Sequence, residues 1–170
     1  VASEMTQLGM LLRRPDPLLA FRWIVRDVPR GQAYGVTPNY VESFEIPFSN
    51  VKATGVFMGG GYNYFPEFHD TSAFNVVFYG DGNGNALKYI WNWKQQVKDF
   101  STSLYNLPED FKEDWVVVML DSKGDEVIEL TYSGCWPADT GQLSLTSEGS
   151  ERITFNQNFS VDSMKIKFLK

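Results

Sequence analysis

Imidazole is the side chain that ordinarily titrates near neutrality, so the one histidine, His69, is the first candidate for acid–base or metal chemistry. A single histidine excludes multi-histidine metal triads, and a Ser-His-Asp arrangement would rest on it alone. It lies in a Gly- and aromatic-rich stretch, where a surface histidine is the simpler reading. The segment DGNGN (81–85) opens like the D-x-N-x-N of a calcium loop, but Ala86 stands where that loop requires glycine and Asn92 where it requires a bidentate Glu. Gly80, Gly82 and Gly84 imitate a phosphate-cradling turn, yet Asn85 takes the third glycine position and no Lys-Ser/Thr follows. Cys135 has no second cysteine to pair with and reads as a small packed residue beside Trp136-Pro137. Asn158-Phe159-Ser160 fits the glycosylation triplet, which carries little weight without an export signal. No pair of carboxylates stands out, so the sequence predicts no catalytic residue, no cofactor, no metal and no enzyme.

Composition agrees with a non-catalytic, self-contained unit. The chain has 170 residues, 43% of them hydrophobic and 15% aromatic, enough to fill one core. Its 21 carboxylates against 15 Lys plus Arg give a net charge of −6, the wrong sign for a protein that grips DNA or an anionic membrane. No apolar run approaches the ~20 residues of a membrane span. Arg13-Arg14 follows the apolar Met10–Leu12, the reverse of a signal peptide, so a cytoplasmically made, soluble protein is expected.

The elements that would carry any function are mostly strands. Pro15 and Pro17 separate an N-terminal arm, residues 1–19, from a β domain over residues 20–170. AFRWIVR (20–26) alternates Phe21, Trp23 and Val25 against Arg22, Ile24 and Arg26, which predicts a strand. Residues 45–70 read as a long, mobile hairpin turning at Gly59–Gly61, with Phe57, Tyr62, Tyr64, Phe65 and Phe68 on a segment that cannot reach its own core. Aromatics so placed predict contact with another chain. SAFNVVFYG (72–80) is a further strand. Ala86, Ile90, Trp93, Val97 and Phe100 fall at helical spacing behind an N-cap at Asn85. DWVVVMLD and EVIELTYS flank a turn at Ser122–Asp125, a hairpin signature. ERITFNQNFSV (151–161) reads as the last strand, with Ile153, Phe155, Phe159 and Val161 inward and Thr154, Asn156, Asn158 and Ser160 wet. Trp23, Trp93 and Trp115 take core-like positions. The expected fold is mainly β, an antiparallel β-barrel or sandwich with one α-helix and a long hairpin loop.

Four pieces in this order resemble the tail tube protein of contractile, T4-type bacteriophages over roughly residues 15–161. The most specific is GCWPADTGQLSL (134–145), similar to a family Gly-x-Trp-Pro followed by Gly-x-Leu-x-Leu, carried by Gly134, Trp136, Pro137, Gly141, Leu143 and Leu145. RPDPLLAFRWIV resembles the lead into the first strand, KYIWNWKQQV the single helix with inward Trp93, and FEIPFSNVKATGVFMGGGYNYF the inter-subunit hairpin.

The resemblance implies self-assembly into hexameric rings that stack as an inner tail tube, the conduit for genome ejection in the virion. The implied partners are the sheath subunit and the baseplate and tail-terminator proteins, with DNA passing the lumen unbound and no membrane contact. Phe48, Phe57, Tyr62, Tyr64, Phe65 and Phe68 are then expected at inter-subunit contacts, and an acidic or polar lumen wall would keep DNA from sticking. A baseplate tube-initiator or a secretion-system tube paralogue would share the fold. Outside this group the competing reading is a β-sandwich carbohydrate-binding module with Trp or Tyr stacking on sugar.

Overall fold

The computed structural model describes residues 18–71, 73–139, 143, 145 and 152–169. The N-terminal arm, apart from its last two residues, and Gly141 lie outside them.

Among the described residues there are nine strands and one main helix. In chain order they are β1 (Trp23–Val25), β2 (Val41–Phe44), β3 (Ser49–Met58), β4 (Gly61–Thr71), β5 (Phe74–Tyr79), helix α1 (Asn85–Val97), a helical turn α2 (Pro108–Phe111), β6 (Glu113–Leu120), β7 (Glu126–Pro137), β8 (Thr154–Ser160) and β9 (Ser163–Phe168). Seven strands form one sheet in the order β1-β6-β7-β8-β5-β2, with β9 also on β7, and β3 pairs with β4 alone. Every pairing is antiparallel. The predicted mainly β, antiparallel architecture with one principal helix is what the chain adopts.

The sheet wraps because β7 serves two neighbourhoods. Glu126–Ser133 runs between β6 and β9, whereas Trp136 and Pro137 pair with Ser160 and Phe159 of β8. Between them Gly134 adopts φ +69°. Two residues of β6, Glu113 and Trp115, face Cys135 and Tyr132, so the register shifts by one at this corner. A bulge with left-handed glycine bends a strand and sharpens its twist, which carries β7 from one half of the sheet to the other.

Alternation fixes which face is inside. β5 buries Phe74, Val76 and Phe78, and β8 buries Phe155, Gln157 and Phe159 while Asn156 and Asn158 stay exposed. Helix α1 covers this face with Ala86, Tyr89, Ile90 and Trp93. The centre is aromatic: Phe74 stacks between Phe44 and Phe159 at 4.7 and 5.3 Å, and Trp115 meets Phe159 edge-on at 5.3 Å. Two of the buried polar groups are tied to backbone: the Trp93 indole donates to Phe111 O at 2.7 Å and the Tyr89 hydroxyl to Pro29 O at 2.8 Å, whereas the Trp115 indole N–H and Gln157 Oε1 are buried without a partner among the described residues. Cys135 is fully buried, and Trp23 packs against the core from its rim.

Five sequence expectations need correction. Asn85 is not the N-cap; Gly84 holds that place at φ +66°, and the Asp81 carboxylate, four residues back, accepts the Asn85 N–H at 2.7 Å. Phe21 and Phe100 lie beyond the ends of their elements and are exposed. Ile153, placed on the inner face, precedes β8 and is also exposed. Residues 151–161 do not hold the last strand, since Ser163–Phe168 turns back as β9 along β7.

Candidate assembly interface

The β3–β4 hairpin has no core. Its strands of 10 and 11 residues pair only with each other among the described residues. Every described side chain from Asn50 to Glu67 is exposed. The turn forms at Gly59 and Gly60, with φ +59° and +88° that glycine accepts without strain. Opposed pairs in an antiparallel ladder share a face. The pairs Phe57↔Tyr62, Gly55↔Tyr64 and Ala53↔Pro66 therefore put three aromatic rings on one side of the hairpin. The pairs Thr54↔Phe65, Val56↔Asn63 and Met58↔Gly61 put Val56, Met58 and Phe65 on the other.

Local packing holds that aromatic face in shape. Phe57 and Tyr62 meet edge-on with centroids 5.4 Å apart. A Cβ on Gly55 would lie 3.2 Å from the Tyr64 ring, so the glycine gives that ring its seat. Phe48, just before β3, is exposed as well. The structure thus gathers Phe57, Tyr62 and Tyr64 on one face, puts Phe65 on the reverse and leaves Phe48 at the base. Phe68 and His69 fall in β4, His69 opposite Val51 in the ladder; their side chains are outside the described set.

The motif around Gly134 is structural. Its N–H donates to the Asp114 carboxylate at 3.0 Å, and a Cβ there would sit 2.2 Å from the Asp162 carboxylate oxygen. That carboxylate pairs with Lys112 at 2.6 Å. Trp136 packs edge-on against Phe111, with ring centroids 6.0 Å apart, and Pro137 is buried at the seam with β8. Leu143 and Leu145 are exposed.

An apolar-walled cleft of about 430 Å³ beside α1 is lined by Arg30, Gln32, Ala33, Tyr34, Tyr89, Trp93 and Gln96. It brings together no nucleophile and base, and Arg30 in its wall is engaged by Glu113 at 2.7 Å and by Gln96. Among the described residues no group of three or more His, Cys, Asp and Glu side chains could hold a metal ion. No described helix is long and apolar enough to cross a membrane.

A seven-stranded antiparallel body with one covering helix and a separate two-stranded hairpin is the tail-tube fold, so the resemblance in motif order extends to architecture. It matches the anti-feeding prophage cap, described as a tube-terminating cap, with a TM-score of 0.69 at 15% identity over 91% of this chain and 93% of that one. A chain of the sheath–tube complex of the extracellular contractile injection system PVC, in the extended state, matches with a TM-score of 0.66 at 13% identity over 95% and 97%. The sheath/tube terminator of PVC matches with a TM-score of 0.68 at 13% identity over 90% and 98%. No protein-family model and no curated protein sequence matches the chain.

Sequence reasoning missed two functional features. Gln157 is fully buried within an otherwise apolar face, its Nε2 donating to Ala138 O at 2.5 Å; its place in the alternation with Phe155 and Phe159 was the available signal. The polar outward side of α1 also carries two exposed apolar side chains, readable from Leu87 and Trp91 one turn apart.

Proposed function

We propose that this chain is a tube subunit of a contractile tail. In this reading it forms hexameric rings, the rings stack inside a sheath, and DNA leaves through the lumen. The observation that carries it is the β3–β4 hairpin, two faces of apolar side chains in water on a chain with the tail-tube fold. Isolated two-stranded hairpins are marginal in water, so this one needs another surface to lie against. The neighbouring subunit of a ring or stack is that surface, with Phe48, Phe57, Tyr62, Tyr64, Phe65 and Phe68 as contacts. The division into an N-terminal arm (1–19) and a tube domain (20–170) belongs to the same reading, the arm adding to ring-to-ring contact.

The structural role also accounts for the acidic balance and for a cleft without catalytic groups. A second reading, a ring that ends the tube, is favoured by the likeness to two terminator structures. Negative-stain microscopy of the purified chain separates them. A main tube subunit gives hollow, striated tubes of indefinite length, and a terminator or initiator gives single rings. A monomer that binds glycans would overturn both.

A further inference from the structure

The outward side of α1 is polar at Lys88, Asn92 and Gln95, as a solvent-facing helix surface ordinarily is, but two large apolar side chains interrupt it. Its inner face uses Ala86, Tyr89, Ile90 and Trp93. Leu87 and Trp91, on the other side, are 47% and 54% exposed. The Trp91 ring meets that of Phe100 at 5.3 Å between centroids, and the following segment adds Leu104, Tyr105 and Leu107 at 68%, 73% and 61% exposure. Six such side chains present on the order of 500 Å² of apolar surface, a large share of the ~800 Å² per partner in a stable interface.

These side chains sit on a fixed frame. The Ser103 N–H donates to Asp99 O at 2.8 Å, the Asp99 N–H to Leu104 O at 3.0 Å and the Asn106 N–H to Val97 O at 3.2 Å. The Asn106 amide also donates to Gln96 O at 2.7 Å, and the Asp99 carboxylate accepts from the Ser101 N–H at 2.8 Å. A surface held in its display conformation loses little entropy on docking.

Charge identifies the occupant. Between Asn85 and Lys98 there are three lysines, Lys88, Lys94 and Lys98, and no carboxylate, in a chain of net charge −6. Lys94 is tied to Asp139 O at 2.8 Å, and Lys98 lies over the Tyr105 ring at 4.9 Å. Just past Leu107, the turn α2 carries exposed Glu109 and Asp110. Along the chain the segment runs from lysines, with Asp99 next to Lys98, through apolar side chains to the carboxylates of α2, so the patch carries both signs and a second copy of it can complement it.

We propose that this ridge is a contact between copies of the chain, separate from the hairpin. The apolar platforms meet, and Lys88 and Lys98 of one copy face Glu109 and Asp110 of the next. The contact rests on the self-association in the tube reading and adds a second surface to it.

Charge reversal in the full chain tests it by sedimentation velocity. Lys88→Glu with Lys98→Glu, and separately Glu109→Lys with Asp110→Lys, should each weaken association about tenfold or more. The quadruple variant, and a mixture of the two doubles, should restore it. Circular dichroism should show all three variants folded, since the four side chains are at the surface. Doubles that associate like the wild type, or a quadruple variant as weak as the doubles, would overturn the contact while leaving the tube reading intact. A wild-type chain that stays monomeric at all concentrations overturns both.

Discussion

At the scale of single residues, Gly134 shows how a family motif can mark backbone rather than chemistry. Its positive φ and the Asp162 carboxylate in its Cβ position leave room for hydrogen alone. Gly134→Ala should cost about 1–3 kcal/mol from backbone strain, plus whatever is lost when Asp162 moves away from Lys112. Urea denaturation should show a lowered midpoint with an unchanged slope. Next to it, burial pushes the Cys135 thiol up to about 12 and raises the Tyr132 and Tyr89 hydroxyls above their ordinary range. These groups stay neutral in the fold but ionise more easily in the unfolded chain. Their contribution to stability is complete below about pH 9 and drains away as the pH climbs towards the folded values. Thermal midpoints should therefore be flat from neutrality to mildly alkaline pH and fall above it. Cys135 should react with iodoacetamide at pH 8 only after unfolding.

At the scale of elements, the hairpin is separable from the core. Phe57→Ser with Tyr62→Ser and Tyr64→Ser should change stability by no more than about 0.5 kcal/mol per site, because the side chains are already in water. The same variant should fail to form tubes in the microscope. Deleting residues 57–65 should likewise leave a folded subunit that no longer polymerises, and normal tubes from either variant would remove the hairpin from the assembly. These elements were legible in the sequence wherever periodicity and punctuation agreed. The Gly59–Gly61 turn, the α1 register through Ala86, Ile90, Trp93 and Val97, and the Ser122–Asp125 hairpin are of this kind. The misreadings fall at ends. Phe21 and Phe100 continue a period after the hydrogen bonds that sustain it have stopped. The α1 cap comes from Asp81, four residues before the helix, where a search of the position just before the first turn does not look. β9 alternates Met164, Ile166 and Phe168 with Lys165 and Lys167, a short strand pattern that follows β8 in the chain after two residues and lies along β7. The corner in β7 was not legible at all, because it depends on Asp114 arriving from β6 and Asp162 from the β8–β9 turn.

At the scale of the whole molecule, the charge and the fold bear on each other. In the proposed hexamer, six copies at −6 would place about −36 on a ring, and repulsion between an acidic wall and phosphate would act over roughly 8–10 Å at physiological salt. The wet face of β8, with Asn156, Asn158 and Ser160, is a candidate lining that offers phosphate no cation. Replacing several lumen carboxylates by lysine should slow DNA ejection, most strongly at low salt, in a bulk fluorescence release measurement. Ejection at the wild-type rate would show that the wall charge does not govern passage.

The coreless hairpin also has a kinetic meaning. In the proposed tube, some twenty residues of strand would find burial only when a neighbour is already in place, so the first few subunits to meet would gain little from ordering it and each later one would gain more. Growth from such a subunit should show a lag, a threshold concentration and immediate extension from added fragments of tube. An assembly that must wait for a template begins where the template is, and its length can be set from outside the subunit.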